Sequence, residues 1–159
     1  MTRVMATGVF DLLHAGHLHY LREAKKLGDE LWVVVATDAT VRKFKHEPIL
    51  KEASRLELVS ELKVVDHAVL GSEGDRFEVV KRIQPDVIAL GWDQKDDPEE
   101  LERQLQSLGL KCRVVRLDYR NDDLGATRRI IQKVIDWWTL KTQLEKEEGV
   151  NKSKTDKSQ

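Results

Sequence analysis

Five short runs of β-favouring residues, each followed by a window of helical spacing, constrain this chain more than any other feature. They are RVMATGV (3–9), ELWVVVATD (30–38), DHAVLG (66–71), DVIALG (86–91) and KCRVVRL (111–117). Several are apolar almost without a break, the mark of strands buried on both faces rather than wet on one. Between them apolar residues step by three, as in Leu18, Leu21 and Ala24, in Leu56, Val59 and Leu62, and in Phe77, Val80 and Ile83. Gly28 suits the end of the first of these helices. DDPEELERQLQSLGL opens with Pro98 and acidic residues, good chemistry for a first helical turn, and stops near Gly109. A last helix is expected from about Leu124 through TRRIIQKVIDWWTLKTQL. Strand and helix in alternation imply right-handed crossovers, so the predicted fold is α/β: a Rossmann-like, doubly wound, parallel five-stranded sheet with helices on both faces.

A length of 159 residues suits one domain with a real core, expected over 1–144. The stretch 145–159, EKEEGVNKSKTDKSQ, is polar and aperiodic and is expected to be a disordered tail. The formal net charge of −1 speaks against a general nucleic-acid binder. No apolar run approaches the roughly 18 to 20 residues of a membrane span, and the N-terminus has no apolar stretch of secretory length. The expectation is a cytoplasmic protein with neither a nucleic-acid nor a membrane partner. Cys112 is the only cysteine, which excludes an intrachain disulfide and a cysteine-rich zinc site. In LKCRVVRL it reads as a buried structural thiol.

In a doubly wound sheet the ligand sits at the carboxyl ends of the strands, near the point where the winding reverses. The first strand ends in TGVFDLLHAGHLHYL, and three of the five histidines, His14, His17 and His19, fall there. Gly8 lets the backbone turn closely, and amides from Gly8 through Val9 to Phe10 can face a phosphate. A helix beginning near Gly16, just after Ala15, would add free N–H groups and the positive end of its dipole. Three positions apart, His14 and His17 fall within roughly 60° of each other on a helix, while His19 points elsewhere. A zinc pair lacks a third ligand at a convincing spacing, so no metal site is predicted. Two imidazoles beside a phosphate chain can instead stabilise charge building on a phosphoryl group and its leaving pyrophosphate.

The stretch GVFDLLHAGH, residues 8 to 17, resembles the G-T-F-D-x-x-H-x-G-H signature of the cytidylyltransferase-type nucleotidyltransferases. Val9 departs from it where the signature has Thr; a backbone contact survives that change and a hydroxyl contact does not. The resemblance spans about residues 3 to 140. It implies transfer of a nucleoside monophosphate from a triphosphate to a phosphate monoester, with release of pyrophosphate and with a divalent cation such as Mg2+ accompanying the nucleotide. It also implies that His14 and His17 bind phosphates and stabilise the transition state, beside a binding surface that takes in Val9, Phe10, Asp11, Ala15 and Gly16.

The remaining strand ends fit the same frame. Asp38 is expected to end the second strand, with Arg42, Lys43 and Lys45 following as a basic cluster. Such a cluster is commonly solvated surface; here the resemblance implies a lysine closing over the phosphates, Lys45 before Lys43. Arg55 is read as the start of the helix SRLELVSEL, against the dipole preference, for which a surface salt bridge would suffice; the resemblance implies an arginine here that reaches the substrate site. After DVIALG, Asp93 could cap the next helix, though Asp96 or Asp97 is better suited to that; the resemblance implies Asp93 at ribose or base. Trp92 is placed beside a ring or as an ordinary tryptophan. After the fifth strand, Tyr119 is a candidate ring-stacking residue. The family's Ser-Thr becomes GAT here, leaving Thr127 as the hydroxyl, followed by Arg128 and Arg129.

Two branches of the family are similar. Glycerol-3-phosphate cytidylyltransferases, which use CTP, share the first turn. Archaeal-type FAD synthases, which transfer AMP from ATP to FMN, are more similar through LHYLREAKKLGDEL, PDVIALGWDQ and CRVVR. The expected function is therefore FMN adenylyltransfer, with ATP and FMN as small-molecule substrates. A nucleotide-binding sensor without turnover is the reading of another class, supported by Val9 and GAT and opposed by the joint presence of both histidines, the basic loop and Asp93. Trp137 and Trp138 would anchor a homodimer contact or close a core beneath the last helix.

Overall fold

The computed structural model describes residues 1–44, 46–118 and 126–155, the stretch 147–155 in backbone only. Residues Met1–Gly125 form one compact unit and Ala126–Gln159 a second. The first unit runs β1 (Arg3–Gly8), α1 (Ala15–Lys25), β2 (Glu30–Val35), α2 (Asp38–Phe44), α3 (Glu52–Ser60), β3 (His67–Leu70), α4 (Glu78–Ile83), β4 (Val87–Leu90), α5 (Pro98–Ser107) and β5 (Arg113–Arg116). The second unit carries α6 (Thr127–Thr155).

All strand pairs are parallel and the sheet order is β3-β2-β1-β4-β5. Alternate side chains leave opposite faces of each strand, and the core divides accordingly. Val4, Ala6, Leu31, Val33, Val35, Val87 and Ala89 pack on one face with Leu21 and Ala24 of α1 and Val59 of α3. Met5, Val34, Ile88, Leu90 and Val114 pack on the other with Val79, Val80 and Ile83 of α4 and Leu101 and Leu105 of α5. Two dry faces explain the near-continuous apolar runs. The winding reverses where the chain leaves β3 and crosses to the far side of β1, so the carboxyl ends of β1 and β4 flank the crevice.

Several boundaries differ from the sequence expectation, each for a local reason. β2 stops at Val35 because the Thr37 hydroxyl accepts the Thr40 N–H at 3.2 Å and starts α2. Asp38 is thus the first residue of a helix, not the end of a strand. α3 begins at Glu52, which places Arg55 inside it. Gly28 lies beyond the end of α1 and is required by close approach: a Cβ there would stand 2.6 Å from the Thr2 carbonyl oxygen. Gly109 follows α5 in the left-handed region, φ +75°. Asp97 caps α5, its Oδ1 accepting the Glu100 N–H at 2.9 Å.

From Glu145 to Thr155 the chain continues as helix where an irregular tail is expected from sequence. Glu and Lys favour helix despite their polarity, so a helix already running extends through them without an apolar face. α6 itself begins at Thr127, and the expected start at Leu124 falls outside the described residues. Cys112 is buried, and burial pushes its thiol up to about 11. No helix among the described residues is long and apolar enough to cross a membrane.

Candidate active site

The turn after β1 is built around one aromatic ring. A Cβ on Gly8 would stand 2.8 Å from Phe10 Cζ, so the Phe10 ring occupies the space that any other residue at position 8 would need. Phe10 and Leu12 both take left-handed backbone conformations, φ +54° and +51°. Non-glycine residues there cost on the order of 1–3 kcal/mol each, and such strain gathers at functional turns. The buried Phe10 ring meets His17 edge-on at 5.3 Å and lies parallel to Tyr20 at 6.4 Å between centroids.

His14 is not on the first helical turn; it is the residue that caps α1. Its Nδ1 accepts the N–H groups of Gly16 at 3.1 Å and His17 at 3.4 Å. The neutral imidazole therefore carries its proton on Nε2, as a donor. The His17 ring stacks on it at 3.7 Å and 23°. The expected pairing of the two rings is thus found, but by a cap standing over the helix start. Of the amides expected to be free, those of Gly16 and His17 are given to the cap. Ala15 opens the helix, and the first turn has no acidic residue to oppose an anion. His19 lies beside Glu23, whose carboxyl is held below the usual range by Lys26, with a smaller effect from His19.

Around this turn, charged side chains that the sequence marks for substrate fasten loops together. Asp11, 3% exposed, accepts the Ile49 N–H at 2.6 Å and the Leu50 N–H at 2.9 Å. Arg55 is fully buried. Its Nη1 donates to the carbonyls of Val9 at 2.7 Å and Ala36 at 2.8 Å, its Nε to Leu50 at 2.9 Å, and its Nη2 to Asp38 Oδ1 at 2.7 Å. The Glu52 carboxylate in turn accepts the Asp38 N–H at 2.6 Å. One guanidinium thereby joins the end of β1, the end of β2 and the segment before α3. Arg42 makes a two-pronged pair with Glu47, both contacts 2.8 Å. Lys43 is exposed, its Nζ 5.2 Å from the centre of the Phe44 ring. Lys45 lies outside the described residues.

Across the crevice, Asp93 and Trp92 are exposed on the loop after β4. That loop is wrapped around Arg116, whose guanidinium donates to the carbonyls of Gly91 at 2.9 Å and Gln94 at 2.8 Å and also to that of Asp96. The Gln94 amide donates to the Thr7 carbonyl at 2.8 Å and accepts from the Gly91 N–H at 3.3 Å, tying the ends of β1 and β4. The Tyr20 hydroxyl accepts from Thr7 N–H at 3.1 Å and donates to the Ala89 carbonyl at 2.8 Å. Burial pushes the Tyr20 phenol well above its ordinary value, with Asp93 adding to the effect, so it stays protonated. Thr127 is the first residue of α6, in the second unit, with Arg128 and Arg129 next to it. Tyr119 lies outside the described residues. Among the described residues no group of three or more His, Cys, Asp or Glu side chains is arranged to hold a metal ion.

Tyr20, Gln94, Arg116 and Glu52 are parts of this site that sequence reasoning missed. Tyr20, Gln94 and Arg116 lie within stretches that carry the resemblance, and Glu52 lies in none; the role of each depends on a partner distant in sequence, which no stretch displays. Arg55, by contrast, carried a signal of its own, a cation near a helix start where the dipole disfavours it.

Comparison with known proteins gives three results. The model of the cytidylyltransferase-like family matches residues 5–150. FAD synthases from Aciduliprofundum boonei and Thermoplasma acidophilum are 54% and 52% identical over 86% of this chain, covering 92% and 96% of their own lengths. A solved structure from Thermoplasma volcanium, described as a lipopolysaccharide core biosynthesis protein, superposes with a TM-score of 0.75 at 56% identity, over 76% of this chain and 99% of its own.

Proposed function

Because the chain belongs to the cytidylyltransferase-like family, and within it to the FAD synthases, we propose that it joins the AMP of ATP to FMN with release of pyrophosphate. It is a nucleotidyltransferase enzyme. The observation that carries the reading is the stacked pair His14 and His17 at the start of α1, beside the Gly8 turn and at the carboxyl end of the central strand.

In this reading a phosphate oxygen of FMN attacks the α-phosphorus of ATP in line. The new P–O bond forms as the bond to the β-phosphate oxygen breaks, and pyrophosphate leaves with the electron pair. No protein nucleophile takes part, so the chain's work is orientation and charge stabilisation. His14 donates from Nε2, and the amides it caps polarise its ring towards that donor. His17, held against it and against Phe10, supplies the second imidazole. Lys45, with Lys43 second, closes over the phosphates, and Asp93 holds the ribose or base. Tyr119 stacks on a ring. Asp11, Asp38 and Arg55 serve the substrates by fixing the loops that face them. The divalent cation enters on the triphosphate of ATP as part of the substrate. A homodimer held through Trp137 and Trp138 belongs to the same proposal.

A product assay tests it. Purified protein is incubated with magnesium, FMN and either ATP or CTP, and the flavins are separated by chromatography. FAD formed with ATP is the expected result; no dinucleotide with either triphosphate overturns the reading.

A further inference from the structure

Residues 46–51, ahead of α3, are exposed or half-buried, yet they are fastened at several points. Glu47 is gripped by both prongs of Arg42 at 2.8 Å, and its carbonyl lies 2.9 Å from His46 Nδ1. The N–H groups of Ile49 and Leu50 both end on the Asp11 carboxylate, and the Leu50 carbonyl receives Arg55 Nε at 2.9 Å. A buried carboxylate and a buried guanidinium are costly groups to commit to a loop. What they hold in place is an apolar side chain turned outward: Ile49 is 52% exposed. Its anchor, Asp11, follows Phe10 in the turn that carries His14 and His17, so Ile49 stands one hydrogen bond from the phosphate-handling residues.

We propose that Ile49 is the surface on which the isoalloxazine ring of FMN rests, and that Asp11 is the residue positioning it. The inference rests on the FAD synthase reading above. FMN must present its phosphate at the turn while its flat, largely apolar ring lies a ribityl chain away. An apolar side chain fixed beside the turn receives such a ring without an ordering cost at binding. It distinguishes a flavin phosphate from a small polar phosphate ester, which has nothing to place there.

The test is steady-state kinetics of Ile49→Ala, Ile49→Leu and Leu58→Ala, varying FMN and ATP separately. Leu58 is a comparably exposed apolar residue on α3 and serves as the control. Removing an exposed side chain leaves the fold intact, which melting curves check. Ile49→Ala is expected to raise KM for FMN about tenfold, with kcat and KM for ATP moving less than about twofold. Ile49→Leu, which keeps the apolar area, recovers most of the loss, and Leu58→Ala shows none. An unchanged KM for FMN in Ile49→Ala overturns the assignment, as do parallel increases for FMN and ATP, which would make the loop a phosphate cover. If the wild-type protein forms no FAD, the functional reading fails and this one with it; FAD formed with Ile49 indifferent defeats this one alone.

Discussion

His14 has two jobs that a substitution can separate. Its Nδ1 caps α1, and in the proposed function its Nε2–H donates to the phosphates. Asn at position 14 can keep the cap through its side-chain oxygen but has no imidazole; Ala keeps neither. We expect His14→Asn to retain nearly the wild-type melting temperature while kcat falls roughly a hundredfold or more. His14→Ala should lose the same activity and about 1 kcal/mol of stability besides. Thermal melts beside turnover measurements distinguish the two, and equal stability losses in both variants would show that the cap is not what the ring contributes. The identity of both histidines was legible because the motif is contiguous. The cap was not, because it depends on where the helix starts to within one residue.

At the scale of elements, Arg55 joins the end of β1, the end of β2 and the segment before α3 through one buried guanidinium. Replacing a buried, paired guanidinium with Ala leaves Asp38 and three carbonyls without their donor. The expected loss is about 3–5 kcal/mol, read as a fall in the urea midpoint. Arg55→Lys should recover little, since one ammonium cannot span four acceptors set around a planar fork. A second prediction concerns the start of β2. Asp66 accepts from the Leu31 N–H at 2.6 Å and from Lys25 Nζ at 2.5 Å. Burial alone would raise its pKa; the amide and the lysine more than offset that, and the carboxyl lies below its ordinary value. Because the folded pKa is below the unfolded one, the stabilisation is complete above about pH 3.9 and disappears as pH falls through the folded value. Asp66→Asn should therefore melt below wild type at pH 7, with the gap closing towards pH 3. A gap that stays constant with pH would remove the charge from the account.

For the molecule as a whole, α6 presents Val134, Ile135, Trp137, Trp138, Leu140 and Leu144 as exposed apolar residues. Lys141 Nζ lies over both indole rings, 5.5 and 5.7 Å from their centres. Tryptophans at such a surface are common anchors of association. With the proposed homodimer, sedimentation velocity should show a dimer at micromolar concentration, and Trp137→Glu with Trp138→Glu should shift it to monomer. A wild-type monomer across the concentration range would remove the dimer from the proposal.

Fold class, strand number and the place of the two histidines follow from the sequence because each is a local property. A strand buried on both faces must be apolar throughout, an amphipathic helix must step by three or four, and the turn with both histidines is one unbroken stretch. The tertiary structure alone decided what the charged and polar residues do. Asp11 meets Ile49 across 38 positions, and Gln94 meets Thr7 across 87. In sequence a carboxylate or guanidinium near a strand end reads as a substrate contact. Whether it reaches a ligand or a backbone carbonyl depends on which loops the sheet order brings to its side, and no short stretch of the chain contains that information.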